Sequence, residues 1–232
     1  MQPNTYLSQF LDCCSVQTDG FVATSQQVNW RLGAILFARR ASSFVIVRKA
    51  PVECTDYEFA GLRALPGGMA RATSDFESET VQDILLRSLL ERVRREASLE
   101  PEMLGKVELA PMGPIVSRYT AKGRKRLTLI VPHVCCVTTE AKVLSDDRSV
   151  DEAKWQPLPP DWMAIAPANR VAIAHFVWSR LQDSERARAE TSVGEAVRQC
   201  SEWATMIGLP DVPTPWAGDE ALQEWRQAWI WS

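Results

Sequence analysis

The sequence predicts an α/β fold in which helices pack on both faces of a mixed β-sheet. Three features support this: a hairpin pattern between residues 31 and 47, an amphipathic helix over residues 80–97, and apolar runs between residues 107 and 137. Short apolar runs favour strands, whereas apolar residues spaced at about 100° favour a helix. Strands mixed with helices in this order are typical of an α+β mixed sheet arranged as an α/β/α sandwich.

The first two strands are predicted at residues 31–37 and 44–47, where the sequence reads RLGAILF and FVIV. Two apolar runs around a short polar gap favour a β-hairpin. Residues 50–66 are predicted to be irregular. The LPGG sequence at residues 65–68 is predicted to form a sharp turn, because glycine and proline commonly mark turns.

The clearest helix is predicted at residues 80–97. Its apolar residues share one broad face, namely Val81, Leu85, Leu86, Leu89, Leu90, Val93 and Ala97. Pro101 follows and ends this region. We therefore expect the helix to pack this apolar face against the sheet.

The rest of the chain predicts further strands and then a helical extension. Strands are expected at residues 107–110, 115–119, 127–137 and 155–158, with a polar loop at residues 138–154. Helices are expected at residues 169–181, 184–207 and 219–231. The predicted organisation is an N-terminal extension over residues 1–27, an α/β domain over residues 28–182 and a tail over residues 183–232.

The tail is rich in tryptophan, with Trp203, Trp216, Trp225, Trp229 and Trp231. Tryptophan combines a large apolar surface with one hydrogen-bond donor and often anchors one element on another. We expect the tail to be mainly helical and to bury its tryptophans against the domain or against a second copy. The second arrangement would be a homodimer through the C-terminal tail.

Composition excludes several classes of protein. The 232 residues carry a net charge of −3, which argues against nucleic acid as a partner. No run of 18 apolar residues and no signal peptide is found, so no membrane association is expected. The six cysteines form no CxxC pair, which argues against zinc. These features favour a cytoplasmic protein.

The motif that points to function lies at residues 65–99. Gly67 and Gly68 precede a helix that ends in ERVRREASL at residues 91–99. This pattern resembles the box of the Nudix hydrolase family: Gly, five residues, Glu, seven residues, Arg-Glu, apolar, any, Glu-Glu, any, Gly, apolar. SVDEAKWQPLPPDW at residues 149–162 also resembles the strand and proline-rich turn of that family. The resemblance extends over residues 28–182.

The resemblance implies a Nudix-like sandwich and a hydrolase of nucleoside diphosphates linked to another moiety. A nucleotide-like small molecule is therefore the expected ligand. In this family, helix carboxylates hold Mg²⁺ or Mn²⁺, which neutralises the pyrophosphate and activates water. The implied catalytic residues are Glu91 and Glu96. The implied metal contacts are Glu96, Glu91 and Gly68, and the implied substrate contacts are Arg92, Arg95 and Gly67.

Two alignments of the helix with the box are possible. The first places Glu91 on the family arginine, Glu96 on the last glutamate, Ser98 on the glycine and Asp83 on the first glutamate. The second places Glu79 on the first glutamate, Arg87 on the arginine, Glu91 on a later glutamate and Arg94 on the glycine. The first is preferred because Ser98 and Leu99 suit a helix end just before Pro101.

Either alignment keeps only one of the three glutamates that follow the family arginine. In the first, Arg92 and Arg95 stand at ligand positions, and a guanidinium cannot bind a cation although it can pair with phosphate. Two hypotheses stay open. One is a metal-dependent hydrolase in which Glu91, Glu79, Glu140 or Glu152 replaces missing ligands. The other is a non-catalytic module that binds a nucleotide or a protein through the same cleft.

Overall fold

The structure is a computed structural model that describes residues 15–16, 21–23, 29–51, 56–71, 80–138, 142–206 and 209–227. The strands are β1 Ser15–Val16, β2 Phe21–Ala23, β3 Asn29–Arg40, β4 Ser43–Lys49, β5 Arg63–Ala64, β6 Gly67–Met69, β7 Glu108–Leu109, β8 Ile115–Ala121, β9 Arg124–Cys136 and β10 Val150–Pro157. The helices are α1 Val81–Ala97, α2 Pro167–Val177, α3 Asp183–Thr205 and α4 Asp219–Gln227. Within these ranges no helix has the length and apolar character to cross a membrane.

Strand β3 organises the sheet. It runs parallel to β9 from Trp30 to Arg39 and pairs antiparallel with β2, β6 and β4 along its opposite edge. Strand β4 pairs with β3 only near the hairpin turn, whereas it pairs with β10 along its whole length. Strands β7 and β8 extend the other side of β9. The sheet is therefore mixed, and β4 with β10 diverges from β3 beyond the hairpin.

Helices cover both faces of this sheet. On one face Leu32 and Leu36 of β3 share a core with Leu89 and Val93 of α1. The opposite face belongs to a second core, in which β3 packs with α2 and α3. Side chains alternate between the two faces of a strand, so one strand contributes to both cores. The predicted α/β/α sandwich is confirmed.

Helix α1 starts and ends as local sequence rules require. The Thr80 hydroxyl accepts a hydrogen bond from the Asp83 amide, and the Asp83 carboxylate accepts one from the Thr80 amide. Such a cap is worth about 1 kcal/mol. At the other end Ser98 adopts a left-handed conformation with φ of 51°. The helix thus spans the predicted segment, with Thr80 as its cap.

Three predictions of local structure were wrong. Residues 63–64, inside the segment predicted to be irregular, form β5 because they pair with β4. The glycines of LPGG do not form a turn but lie in β6, where Gly67 pairs with Ile35 and Gly68 with Ala34. Glycine is required at position 67 because a Cβ atom there would collide with the Ala34 carbonyl oxygen. Strand β10 begins at Val150, inside the predicted polar loop, because its backbone pairs with β4 and its charges pair across the strands.

The tail packs on the domain through α3 and α4. Val193 and Cys200 of α3 and Trp225 of α4 belong to the same core as α2. Trp225 is only 2% exposed, and its indole nitrogen donates to the Pro114 carbonyl at 3.1 Å. Trp216 is 41% exposed. Trp229 and Trp231 lie outside the described residues, and the homodimer through the tail stays a prediction.

Replacing Trp225 should test how strongly the tail depends on this anchor. We expect Trp225→Ala to lower the free energy of unfolding by about 3–5 kcal/mol, because it empties a packed site. Trp216→Ala is the comparison and should cost less than Trp225→Ala, because Trp216 is 41% exposed although its ring packs on Trp178. Urea unfolding measures both, and equal losses would show that Trp225 is not the anchor.

Candidate functional site

The candidate site lies where the C-terminal half of α1 meets β6 and the end of β4. Gly68 of β6 faces Arg92 of α1 so closely that a Cβ atom on Gly68 would lie 2.8 Å from the arginine Nε. The amide of the preceding Gly67 points to α1 and donates to Glu96. The glycines therefore let the strand backbone approach the charged side chains of the helix.

Glu96 lies at the centre of the site and is fully buried. Its Oε1 accepts a hydrogen bond from Lys49 Nζ at 2.6 Å, and its Oε2 accepts one from the Gly67 amide at 3.0 Å. Arg92 Nη2 lies 3.8 Å from Oε1. Both carboxylate oxygens are therefore occupied by donors from the protein, and the buried charge is compensated by Lys49.

Asp147 is the second carboxylate of the site and comes from the loop before β10. Its side chain is 5% exposed, and its Oδ2 lies 2.7 Å from Arg92 Nη1 and 3.2 Å from Arg95 Nη2. Its Oδ1 accepts from the Ser149 amide at 2.9 Å and the Ser149 hydroxyl at 2.8 Å. Burial alone would raise the pKa of Asp147, but these hydrogen bonds and arginines hold it below its usual value of 3.8.

The site as a whole is a compact network of fixed charges. Lys49, Arg92 and Arg95 are positive, whereas Glu96 and Asp147 are negative. Three positive and two negative groups leave one positive charge. Arg92 joins the two carboxylates because it lies between Glu96 and Asp147. The network is therefore continuous from the end of β4, through α1, to the loop before β10.

The structure brings only some of the predicted residues together. Gly67, Gly68, Arg92 and Glu96 meet in this network, and Arg95 joins it through Asp147. Glu91 is exposed, whereas Glu96 is buried, because five helical positions turn a side chain by about 140°.

Of the acids proposed as substitutes, Glu152 is described and does not pair with Glu96. Glu152 pairs with Lys154 and Arg63. Glu79 and Glu140 lie outside the described residues.

These side chains do not fit a divalent cation. Mg²⁺ prefers oxygen ligands, and carboxylates commonly supply them in proteins. Both oxygens of Glu96 already accept hydrogen bonds from Lys49 and Gly67. Across the part of the chain that the structure describes, no three Asp, Glu, His or Cys residues are grouped so that they could hold a metal.

The end of α1 favours the first of the two alignments with the Nudix box. Ser98 has a positive φ and Leu99 is buried, as the glycine and the apolar residue that close the box require. The second alignment would place the exposed, helical Arg94 at the glycine position. In that alignment Glu96 takes the position of the last glutamate of the box, which stays a prediction.

Lys49 and Asp147 were missed by the sequence analysis. Lys49 is 47 positions from Glu96, and Asp147 is 55 positions from Arg92. No helix or strand periodicity connects residues that far apart. The only available signals were a lysine at the end of an apolar strand and an aspartate in an acidic loop.

Both histidines of the chain bind backbone carbonyl groups. His133 forms a hydrogen bond with the Val131 carbonyl, and His175 with the Pro213 carbonyl. Burial lowers the pKa of each to about 4, so both rings are neutral at pH 7. Neither lies in the charge network.

Comparison with known proteins gives the following result. No family model matches the sequence, and the search of curated proteins finds no match. Among solved structures, the chain is similar to a Nudix hydrolase from Nitrosomonas europaea, at 12% identity over 68% of this chain and 76% of that one, with a TM-score of 0.43. It is also similar to the MutT protein from Methanosarcina mazei Go1, at 15% identity over 68% and 100%, with a TM-score of 0.45.

A third similar structure is the Nudix domain of Shewanella oneidensis NrtR in complex with ADP ribose. It shares 19% identity over 75% of this chain and 98% of that one, with a TM-score of 0.44. These similarities, at 12–19% identity and TM-scores of 0.43–0.45, concern the fold alone.

A double-mutant cycle should measure the pair formed by Lys49 and Glu96. Lys49→Met leaves a buried carboxylate without its main counter-ion, so we expect a loss of about 3–5 kcal/mol in the free energy of unfolding. Adding Glu96→Gln removes that charge and keeps an acceptor for the Gly67 amide. The double variant should therefore be more stable than Lys49→Met alone, as measured by denaturant unfolding.

Lys154→Met is the control for the cycle. Lys154 pairs with Glu152, and both side chains are about one-third exposed. Removing an exposed pair of this kind costs less than about 1 kcal/mol. Equal losses for Lys49→Met and Lys154→Met would contradict the structural role assigned to Lys49.

Proposed function

We propose that this chain is a non-catalytic member of the Nudix superfamily that binds the phosphate part of a nucleotide-like ligand without a divalent cation. The observation that carries the proposal is the 2.6 Å contact between Lys49 Nζ and the buried Glu96 carboxylate. Lys49 supplies the positive charge that the carboxylate needs. Glu96 then acts as a structural residue that joins β4, β6 and α1.

The energetics support this assignment. A metal would have to displace Lys49 from Glu96, and the ammonium group would then lose its partner in a largely buried position. Arg92, 3.8 Å from the same carboxylate, adds repulsion against an incoming cation. Activation of water by a metal lowers a reaction barrier by several kcal/mol, so a site without metal should lose most hydrolytic activity.

The remaining positive charge supports an anionic ligand. The side chains of Arg92 and Arg95 are 25% and 42% exposed, so both side chains are partly accessible from solvent. A guanidinium has five N–H donors in one plane and binds phosphate well.

The rival hypothesis is a metal-dependent hydrolase, and a turnover assay separates the two. We expect no robust hydrolysis of a panel of nucleoside diphosphate derivatives with Mg²⁺ or Mn²⁺. Metal-dependent turnover that Glu96→Gln abolishes would show that Glu96 is a metal ligand and would overturn the proposal. Turnover lost in Glu91→Gln but kept in Glu96→Gln would overturn it as well and would favour the second alignment.

Binding without metal is the positive half of the proposal. We expect calorimetry to detect ADP binding in EDTA. The affinity measured with Mg²⁺ should not be higher, once the binding of Mg²⁺ to free ADP is taken into account. Arg95→Gln should weaken binding by about tenfold, because it removes one charge-assisted contact. Arg95→Gln is preferable to an Arg92 variant, because in Arg95→Gln the remaining Arg92 still compensates the charge of Asp147.

Arg94→Gln is the matched control, because it removes one positive charge from the residue of α1 that precedes Arg95. Arg94 is exposed and contacts neither carboxylate of the network in the described structure. It should leave ADP affinity within about twofold, as distant surface charges are screened. If wild type binds no phosphate compound at all, the phosphate proposal fails and a protein partner for the cleft becomes the better hypothesis.

A further inference from the structure

Asp147 holds the two arginines that the proposed ligand would use. One carboxylate oxygen, Oδ2, contacts both Arg92 and Arg95, at 2.7 and 3.2 Å. A phosphate oxygen that bound the same two guanidinium groups would have the same sign of charge and would need the same donors. Asp147 and a ligand phosphate therefore compete.

The loop around Asp147 is built to keep its carboxylate in place. Its other oxygen, Oδ1, accepts from the Ser149 amide and hydroxyl. The Asp146 amide donates to the Arg95 carbonyl at 3.0 Å, and the Val150 amide donates to the Asp147 carbonyl at 2.9 Å. The loop is thus tied to the end of α1 and to the start of β10.

We propose that Asp147 is an internal substitute for the ligand's phosphate and that ligand binding requires Asp147 to leave the arginines. This inference rests on the proposed function, because it concerns the same phosphate site. In the absence of ligand, Asp147 neutralises arginines that would otherwise repel each other. When phosphate binds, the segment Ser145–Ser149 moves away from α1, and the affinity is reduced by the free energy of breaking these contacts.

The experiment compares the binding of inorganic pyrophosphate and of ADP, both in EDTA, to wild type and to Asp147→Asn. The substitution removes the competing charge and keeps an acceptor for Ser149. We expect affinity to rise by about tenfold or more, because two charge-assisted contacts no longer have to be broken. Asp151→Asn is the matched control, because Asp151 contacts Arg48 at 2.8 Å outside the network. It should leave affinity unchanged.

Two further measurements keep the inference testable if Asp147→Asn folds poorly. Ser149→Ala keeps the charge of Asp147 but removes one hydrogen bond that fixes it, so it should raise affinity by a smaller factor. In wild type, ligand should accelerate hydrogen exchange at the Asp146 and Val150 amides, because their hydrogen bonds hold the closed loop.

The outcomes distinguish this inference from the function on which it rests. Tighter binding by Asp147→Asn than by wild type, with no such change in Asp151→Asn, supports the inference. Equal or weaker binding by a folded Asp147→Asn, while wild type binds, overturns the inference and leaves phosphate binding in place. Slower exchange at both amides on ligand binding also overturns it. If neither protein binds pyrophosphate or ADP, the proposed function and the inference both fail.

Discussion

The buried contact between Lys49 and Glu96 is the interaction on which the candidate site depends. It joins the end of β4 to α1, and the same carboxylate holds the Gly67 amide of β6. A buried carboxylate is very costly without compensation, so these partners have to be in place whenever the protein is folded. The positions of β4, β6 and α1 relative to one another are therefore coupled through one side chain.

The charges of the candidate site form one continuous network rather than separate pairs. Arg92 lies between Glu96 and Asp147, and Asp147 also contacts Arg95. Interactions within such a network are not additive, because each group changes the surroundings of the next. The effect of a substitution in this network on stability should therefore depend on which charged partner it leaves without a counter-ion.

The elements with strong local signals could be predicted from the sequence. The apolar face defined α1 to within one residue, and the apolar runs located β3, β4, β8 and β9. The chain around Gly67 and the polar strand β10 could not be predicted in the same way, because their structure is set by pairing with distant strands. Local propensity is a weak guide where tertiary contacts decide.

The site was predictable only where the residues are neighbours in sequence. The motif identified Gly67, Gly68, Arg92, Arg95 and Glu96, which do lie together or join through Asp147. It also suggested Glu91, which the helical rotation places at the surface. Lys49 and Asp147 come from distant parts of the chain. These two residues compensate the charges of Glu96 and of the two arginines in the candidate site.

The position of Arg92 between two carboxylates has a consequence for evolution. A glutamate at position 92 would place a third carboxylate between Glu96 and Asp147, and two arginine contacts would be lost. Such a change is tolerable only if Asp147 and Lys49 change as well, which requires several substitutions at once. Among descendants of a common ancestor, Lys49, Arg92 and Asp147 should therefore be retained together or replaced together, and intermediate combinations should be rare.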